Sequence, residues 1–249
     1  MCTLLILRRP GHKWPLLLAA NRDEIISRPW LPPDNHWPER PYVVAGKDEE
    51  AGGTWLGINK QGVGAAILNR EGSLGPKDEK RTRGELVLEA LDHSDAETAA
   101  YYLQEIDCQS YRSFNLIIAD NNNGFWLKST GSGKISSTAL PTGLSMITSG
   151  ELNDKNSPRL DFYFDKFLSA KTPDIDKDNW KTWQSLLASR RKEMESDPNQ
   201  SMCIVTETGY GTVSSSIIAF PSQELLNAKC KWRFCSGRPD KNPFETVDL

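Results

Sequence analysis

The chain opens with an apolar run, Thr3 to Leu7, closed by Arg8-Arg9-Pro10-Gly11. Apolar residues on both sides of the alternation predict a strand buried on both faces. Leu16-Leu17-Leu18-Ala19-Ala20 has the same character, and the Pro/Gly segment between the runs predicts an antiparallel hairpin. Paired positions in a hairpin sum to a constant, here roughly 23, which sets Cys2 opposite Asn21 or Arg22. Trp30 to Pro41 carries four prolines and reads as a loop or flap outside any sheet. Short strands are predicted over Val43 to Ala45, Thr54 to Ile58 and Val63 to Leu68, and the charged stretch Gly72 to Thr82 reads as a mobile loop.

Helical signals start with Gly84 to Leu91. A second helix follows Ser94-x-x-Glu97, read as a capping box, with Ala100, Leu103 and Ile106 on one side. Phe114 to Ala119 and Phe125 to Lys128, joined by Asp120-Asn121-Asn122-Asn123-Gly124, predict another hairpin, and Leu144 to Thr148 a further strand. Ser157-Pro158 supplies a cap and a first-turn proline for a helix whose stripe is Leu160, Tyr163, Phe164, Phe167 and Leu168. Asn179 to Glu195 reads as helix, Cys203 to Thr206 and Thr212 to Phe220 as a strand pair, and Trp232 to Phe234 as an edge strand. Strand blocks separated by helix pairs predict an α+β layered fold of antiparallel sheets buried on both sides, with helices outside. No repeat or linker divides residues 1–249, so they read as one domain.

Composition then removes function classes. Thirty Lys+Arg against 33 Asp+Glu give a formal charge of −3, with no overall drive toward nucleic acid or acidic lipid. No apolar run reaches the length of a transmembrane segment. The N-terminus lacks the pattern of a secretory signal, and five cysteines do not suggest a disulfide framework, so a cytoplasmic protein with reduced thiols is expected. There is no Walker loop, HExxH, GxSxG or CxxC, and Cys230 and Cys235 lack the partners of a zinc site, so no metal is expected. His12, His36 and His93 read as ordinary surface histidines. Oligomeric state is not legible.

What remains is Cys2 beside Asn21-Arg22-Asp23-Glu24. As a strand residue, Cys2 is a small buried hydrophobe facing a salt-bridge cluster. As a nucleophile it has three supports. Loss of Met1 would free an α-amine of pKa roughly 7.7–8.0, able to act as base for its own side chain. Arg22 would stabilise the thiolate, and Asp23 would orient the amine. Asn69, at a strand end, is the residue type that donates to an oxyanion.

Ala20-Asn21-Arg22-Asp23-Glu24 followed by Ser27-Arg28-Pro29 resembles the signature of the NRDE family, the transport and Golgi organisation protein 2 family. Gly52-Gly53-Thr54-Trp55-Leu56-Gly57, Arg83-Gly84-Glu85-Leu86-Val87, Phe114-Asn115-Leu116-Ile117 with Ala119-Asp120, and Gly209-Tyr210-Gly211-Thr212 follow in the same order. That family resembles cysteine-type N-terminal-nucleophile (Ntn) hydrolases such as penicillin V and bile-salt amide hydrolases. The resemblance implies their four-layer α-β-β-α sandwich of two antiparallel sheets. It also implies Cys2, Arg22, Asp23 and Asn69 at catalytic positions, with Asn21, Glu24, Trp55 and Asn153 at the ligand. Many relatives have Arg after Tyr-Gly-Thr where this chain has Val213, so a second cation near the site would come from elsewhere, for example Arg159.

The resemblance further implies intracellular haem handling and a link to acyl metabolism. Three readings follow. The first is a haem-binding or haem-transfer protein on a hydrolase-like scaffold, with haem as transported ligand and no catalytic cofactor. The second is a cysteine amidohydrolase of non-peptide C–N bonds, acting on a small apolar or amide ligand. The third is a protein adaptor using the Trp30 to Pro41 flap.

Overall fold

The computed structural model describes residues 2–190, 200–225 and 228–249. Its first sheet has the order β10-β1-β2-β11-β12-β13, formed by Gly143–Ile147, Thr3–Arg8, Leu16–Ile25, Tyr210–Phe220, Lys231–Ser236 and Glu245–Val247. The second is a seven-stranded meander in chain order: β3 (Trp30–Asp34), β4 (Val43–Asp48), β5 (Leu56–Asn59), β6 (Gly64–Asn69), β7 (Phe114–Ala119), β8 (Gly124–Ser129) and β9 (Ser136–Ala139). All strand pairs in both sheets are antiparallel.

The run Thr3 to Leu7 is apolar throughout because its two faces enter different cores. Leu4 and Ile6 join Leu56, Ile58, Ala66, Leu68 and Ile117 between the sheets. Leu5 packs with Leu17, Ala19 and Ile217 against Leu160, Tyr163 and Phe167 of α3 (Pro158–Ser169) and Trp183 of α4 (Lys181–Leu187). On the far side, α1 (Gly84–Leu91) and α2 (Ala96–Leu103) cover Val43, Ala45, Leu116 and Ile118 of the second sheet. The result is the expected four-layer α-β-β-α sandwich. No helix among the described residues is long and apolar enough to cross a membrane.

Several local expectations change. Trp30–Asp34 is an edge strand rather than a free flap; Pro32 and Pro33, which have no N–H to donate, fall where its register with β4 slips between Leu31 and Asp34. Cys203 to Thr206 is not a strand: it meets β11 at one bridge, from Val205 to Gly211, ahead of the stretch from Ser214 to Ala219 that β12 pairs. Trp232 to Phe234 lies inside β12, between β11 and β13, and is not an edge. The cap of α2 is Asp95, whose carboxylate accepts from the Thr98 N–H at 2.7 Å, rather than Ser94. The predicted Asn179 to Glu195 helix is Lys181–Leu187, and its last part, from residue 191, lies outside the described residues. The Gly72 to Thr82 loop is pinned: Arg112 donates to the carbonyls of Gly72, Leu74, Gly75 and Pro76, and Arg83 to those of Ser73 and Ser113.

Two glycine contacts set the walls around the site. A Cβ on Gly53 would lie 2.5 Å from the Gly84 carbonyl carbon, so the start of α1 sits directly on the backbone ahead of β5. A Cβ on Gly46 would lie 2.3 Å from the Trp55 ring, which therefore needs glycine as its seat.

Candidate active site

The β1–β2 register pairs Thr3 with Asn21, and one further step sets Cys2 opposite Arg22. The second of the two predicted partners is thus the right one. The backbone N–H of Asp23 points at Cys2 Sγ from 3.4 Å, and the thiol reaches the Asp23 carbonyl at 3.6 Å. Strand pleating then divides the neighbourhood. Cys2, Leu4 and Ala20 belong to the inter-sheet side, whereas Leu5, Leu17 and Ala19 belong to the α3–α4 side.

Asn21 and Asp23 fall on the helix side. Asn21 donates to the carbonyls of Leu187 and Met202, both at 2.9 Å, tying the end of α4 to the sheet. The Asp23 carboxylate, wholly buried, accepts from Thr212 Oγ1 at 2.6 Å and from Arg159 Nη1 at 3.2 Å. Arg159 of α3 also donates to Thr3 Oγ1 at 2.7 Å, so this cation lies on the helix side of the sheet and not in the cleft lining. Tyr210 donates to the Asp23 carbonyl at 3.1 Å.

Arg22 and Glu24 fall on the cleft side, with Cys2. The guanidinium of Arg22 lies 4.2 Å above the Trp55 ring, its Nη2 is 3.2 Å from Asp48 Oδ2, and its buried Nη1 has no hydrogen-bond partner among the described residues. Asp48 also receives Arg28 through both carboxylate oxygens, at 2.7 and 3.0 Å. A cleft of about 260 Å³ joins Cys2, Arg22, Glu24, Asp48, Trp55 and Asn69. Asn69 comes from the opposing sheet, at the end of β6.

Of the eight predicted site residues, Cys2, Arg22, Glu24, Trp55 and Asn69 therefore share the cleft. Asn21 and Asp23 support it from behind. Asn153 stands apart: at φ 59°, its side chain accepts from the Met146 N–H at 2.8 Å and extends the edge of β10. Asp48 and Arg83 were missed. Their only sequence signals are the opposite charge of Asp48 and the motif position of Arg83.

Burial pushes the Cys2 thiol above its ordinary pKa and the Asp23 charge adds to this, against the opposing pull of the Asp23 N–H and Arg22. Burial also raises the Asp48 carboxyl, but the Arg28 hydrogen bonds and the Ala51 N–H outweigh it, so the group sits below the usual carboxylate range. Arg83 is pushed down to about 10 by burial and by Arg112. Among the described residues no group of three or more His, Cys, Asp or Glu side chains is arranged to hold a metal ion.

This layering is that of the N-terminal-nucleophile hydrolases. The chain is similar in fold to a Caenorhabditis elegans N-acylethanolamine-hydrolyzing acid amidase ortholog, with TM-score 0.60 and 12% identity over 87% of this chain and 92% of that one. It is also similar to a mutant conjugated bile acid hydrolase from Clostridium perfringens, with TM-score 0.52 and 12% identity over 100% and 97%. The chain belongs to the Transport and Golgi organisation 2 family, whose model matches residues 1–229. The Transport and Golgi organization 2 homologs of Mus musculus and Homo sapiens are each 41% identical over 121 residues, 45% of this chain and 42% of each homolog. The match thus spans less than half the length of these curated relatives.

Proposed function

We propose that the chain is a cysteine hydrolase cleaving the C–N bond of a small acyl amide, with Cys2 as nucleophile. The observation that carries this is one cleft lined by Cys2, by Arg22, whose Nη1 has no hydrogen-bond partner among the described residues, and, from the facing sheet, by Asn69. Two fold neighbours act on such bonds by name, an acid amidase and a conjugated bile acid hydrolase. In this reading Met1 is removed and the freed α-amine takes the thiol proton. The sulfur then adds to the substrate carbonyl carbon while Asn69 and Arg22 stabilise the developing oxyanion. The C–N bond breaks, the amine leaves with the proton, and water hydrolyses the thioester. Five free thiols suit a reducing compartment, and we place the protein in the cytoplasm as a single domain.

The test is intact mass of protein purified from its native host, together with turnover of a panel of N-acyl amides. Met1 is expected to be absent, and Cys2→Ser to abolish turnover with the unfolding midpoint preserved. Quantitative retention of Met1 overturns the proposal. A saturable Soret shift on haemin titration, with haem passed to an acceptor apoprotein and no amide turnover, would instead select the haem-carrier reading.

A further inference from the structure

The cleft lining carries more positive charge than its own two carboxylates, Glu24 and Asp48, balance. Lys77, Lys80, Arg83 and Arg112 all belong to it, and among the described residues none forms an ion pair. Arg81 beside them is paired, with Glu85 at 2.7 Å, and the loop's own carboxylates, Asp78 and Glu79, are not part of the lining. Arg83 and Arg112 satisfy their donors only with neutral oxygens: Arg83 bonds Ser73 O at 2.8 Å and Ser113 O at 3.1 Å, and Arg112 bonds Leu74 O at 2.7 Å and Gly72 O at 2.8 Å. Carbonyls hold a guanidinium in place without cancelling its charge. Two adjacent guanidiniums, one of them largely buried, cost free energy unless an anion arrives. This concentration occurs in a chain whose net charge is −3. Evenly spread surface charge does not explain it.

The same cleft has an apolar lip. Ile25 and Leu74 line the cleft and are 51% and 49% exposed, with Ile26 adjoining at 57%. Cations behind an aliphatic rim match a ligand that is apolar along part of its length and anionic at one end. The cationic wall is fixed relative to the thiol, because the Gly53–Gly84 backbone contact holds the segment that carries Arg83.

We infer that the ligand of the Cys2 cleft is an amphiphilic acyl amide bearing an anionic oxygen group, a carboxylate or a phosphate, which is received by Lys77, Lys80, Arg83 and Arg112. The inference rests on the proposed hydrolase reading for the amide and names the substrate class of that site.

The test is calorimetric titration of the Cys2→Ala protein, in which binding is measured without turnover. The probes are N-octanoylglycine, its methyl ester, and the phosphate monoester of N-octanoylethanolamine. At least one anion is expected to bind about tenfold or more tightly than the neutral ester, the effect of one charge-assisted contact. That preference shrinks as salt rises, since screening acts over about 10 Å at 0.1 M. Which anion wins identifies the head group. In the Lys77→Gln/Lys80→Gln double variant the preference falls severalfold, while Lys60→Gln, on a separate cavity, retains it. Equal affinity for acid, phosphate and ester overturns the inference, as does a preference that survives the double substitution. Arg112→Gln gives a second measure if the double variant fails to fold. Anion binding by Cys2→Ala without amide turnover by the unsubstituted protein would overturn the hydrolase reading, and with it the amide, and leave the anionic head group and its cationic wall standing.

Discussion

The two faces of β2 near Cys2 differ in kind although their residues alternate along a single stretch. On the helix face, Asn21 and Asp23 are buried and bonded to the backbone of α4 and to Arg159, Thr212 and Tyr210. On the cleft face, Arg22 has one donor without a partner among the described residues, and Glu24 lines the cleft beside it. The lesson is that Asn21-Arg22-Asp23-Glu24 is two motifs interleaved with a period of two. One set of residues holds the sheet to its helix layer, and the other lines the cleft beside Cys2.

That division breaks if substitutions on the two faces have the same effect. Asp23→Ala leaves Arg159 buried without its carboxylate, and urea unfolding should show a loss of about 3–5 kcal/mol. Arg22→Gln should cost far less stability, yet lower kcat on any amide substrate about 10²–10³-fold, the usual effect of losing an oxyanion donor. Asn21→Ala strands two buried carbonyls and should cost about 1–3 kcal/mol with kcat little changed in the protein that remains folded.

Two pH measurements sharpen the contrast further. The Asp48 carboxyl is depressed in the folded protein, so its contribution is present above the unfolded pKa and lost as pH falls through the lower folded value. Between pH 5 and acid unfolding, Asp48→Asn should lose less stability than the unsubstituted protein, by about 1 kcal/mol or less. The Cys2 thiol is raised, so the rate of iodoacetamide alkylation should climb with pH to a midpoint above the ~8.5 of a free cysteine. In Arg22→Gln that midpoint should move higher still, because a cation that favours the thiolate is gone.

The hairpin was legible because an unbroken apolar run, a Pro/Gly turn and a second run leave little freedom in register. That alone brought Cys2 to Asn21 or Arg22, and the observed register selects Arg22. Asn69 was legible as an amide at a strand end, and Arg159 as a substitute cation, although it serves Asp23 rather than the cleft. Asp48 was not legible, because it meets Arg22 only once the two sheets stack, and no periodicity in the sequence records contacts between sheets. Asn153, singled out by its Leu-Asn-Asp context, has a left-handed backbone and a local bond to Met146 that set it beside β10, outside the cleft lining. The prolines of β3 hid a strand, since proline excludes central strands and not edges.

The position of β2 also bears on how the molecule is made. Its partner β1 lies just upstream, but its other neighbour is β11, and Asp23 and Thr212, which bond across that seam, are 189 positions apart. Such remote pairing slows folding. During synthesis, the edge of β2 that meets β11 has no strand to pair with until Tyr210–Phe220 has emerged, so the Thr212 bond that holds the Asp23 carboxylate forms late.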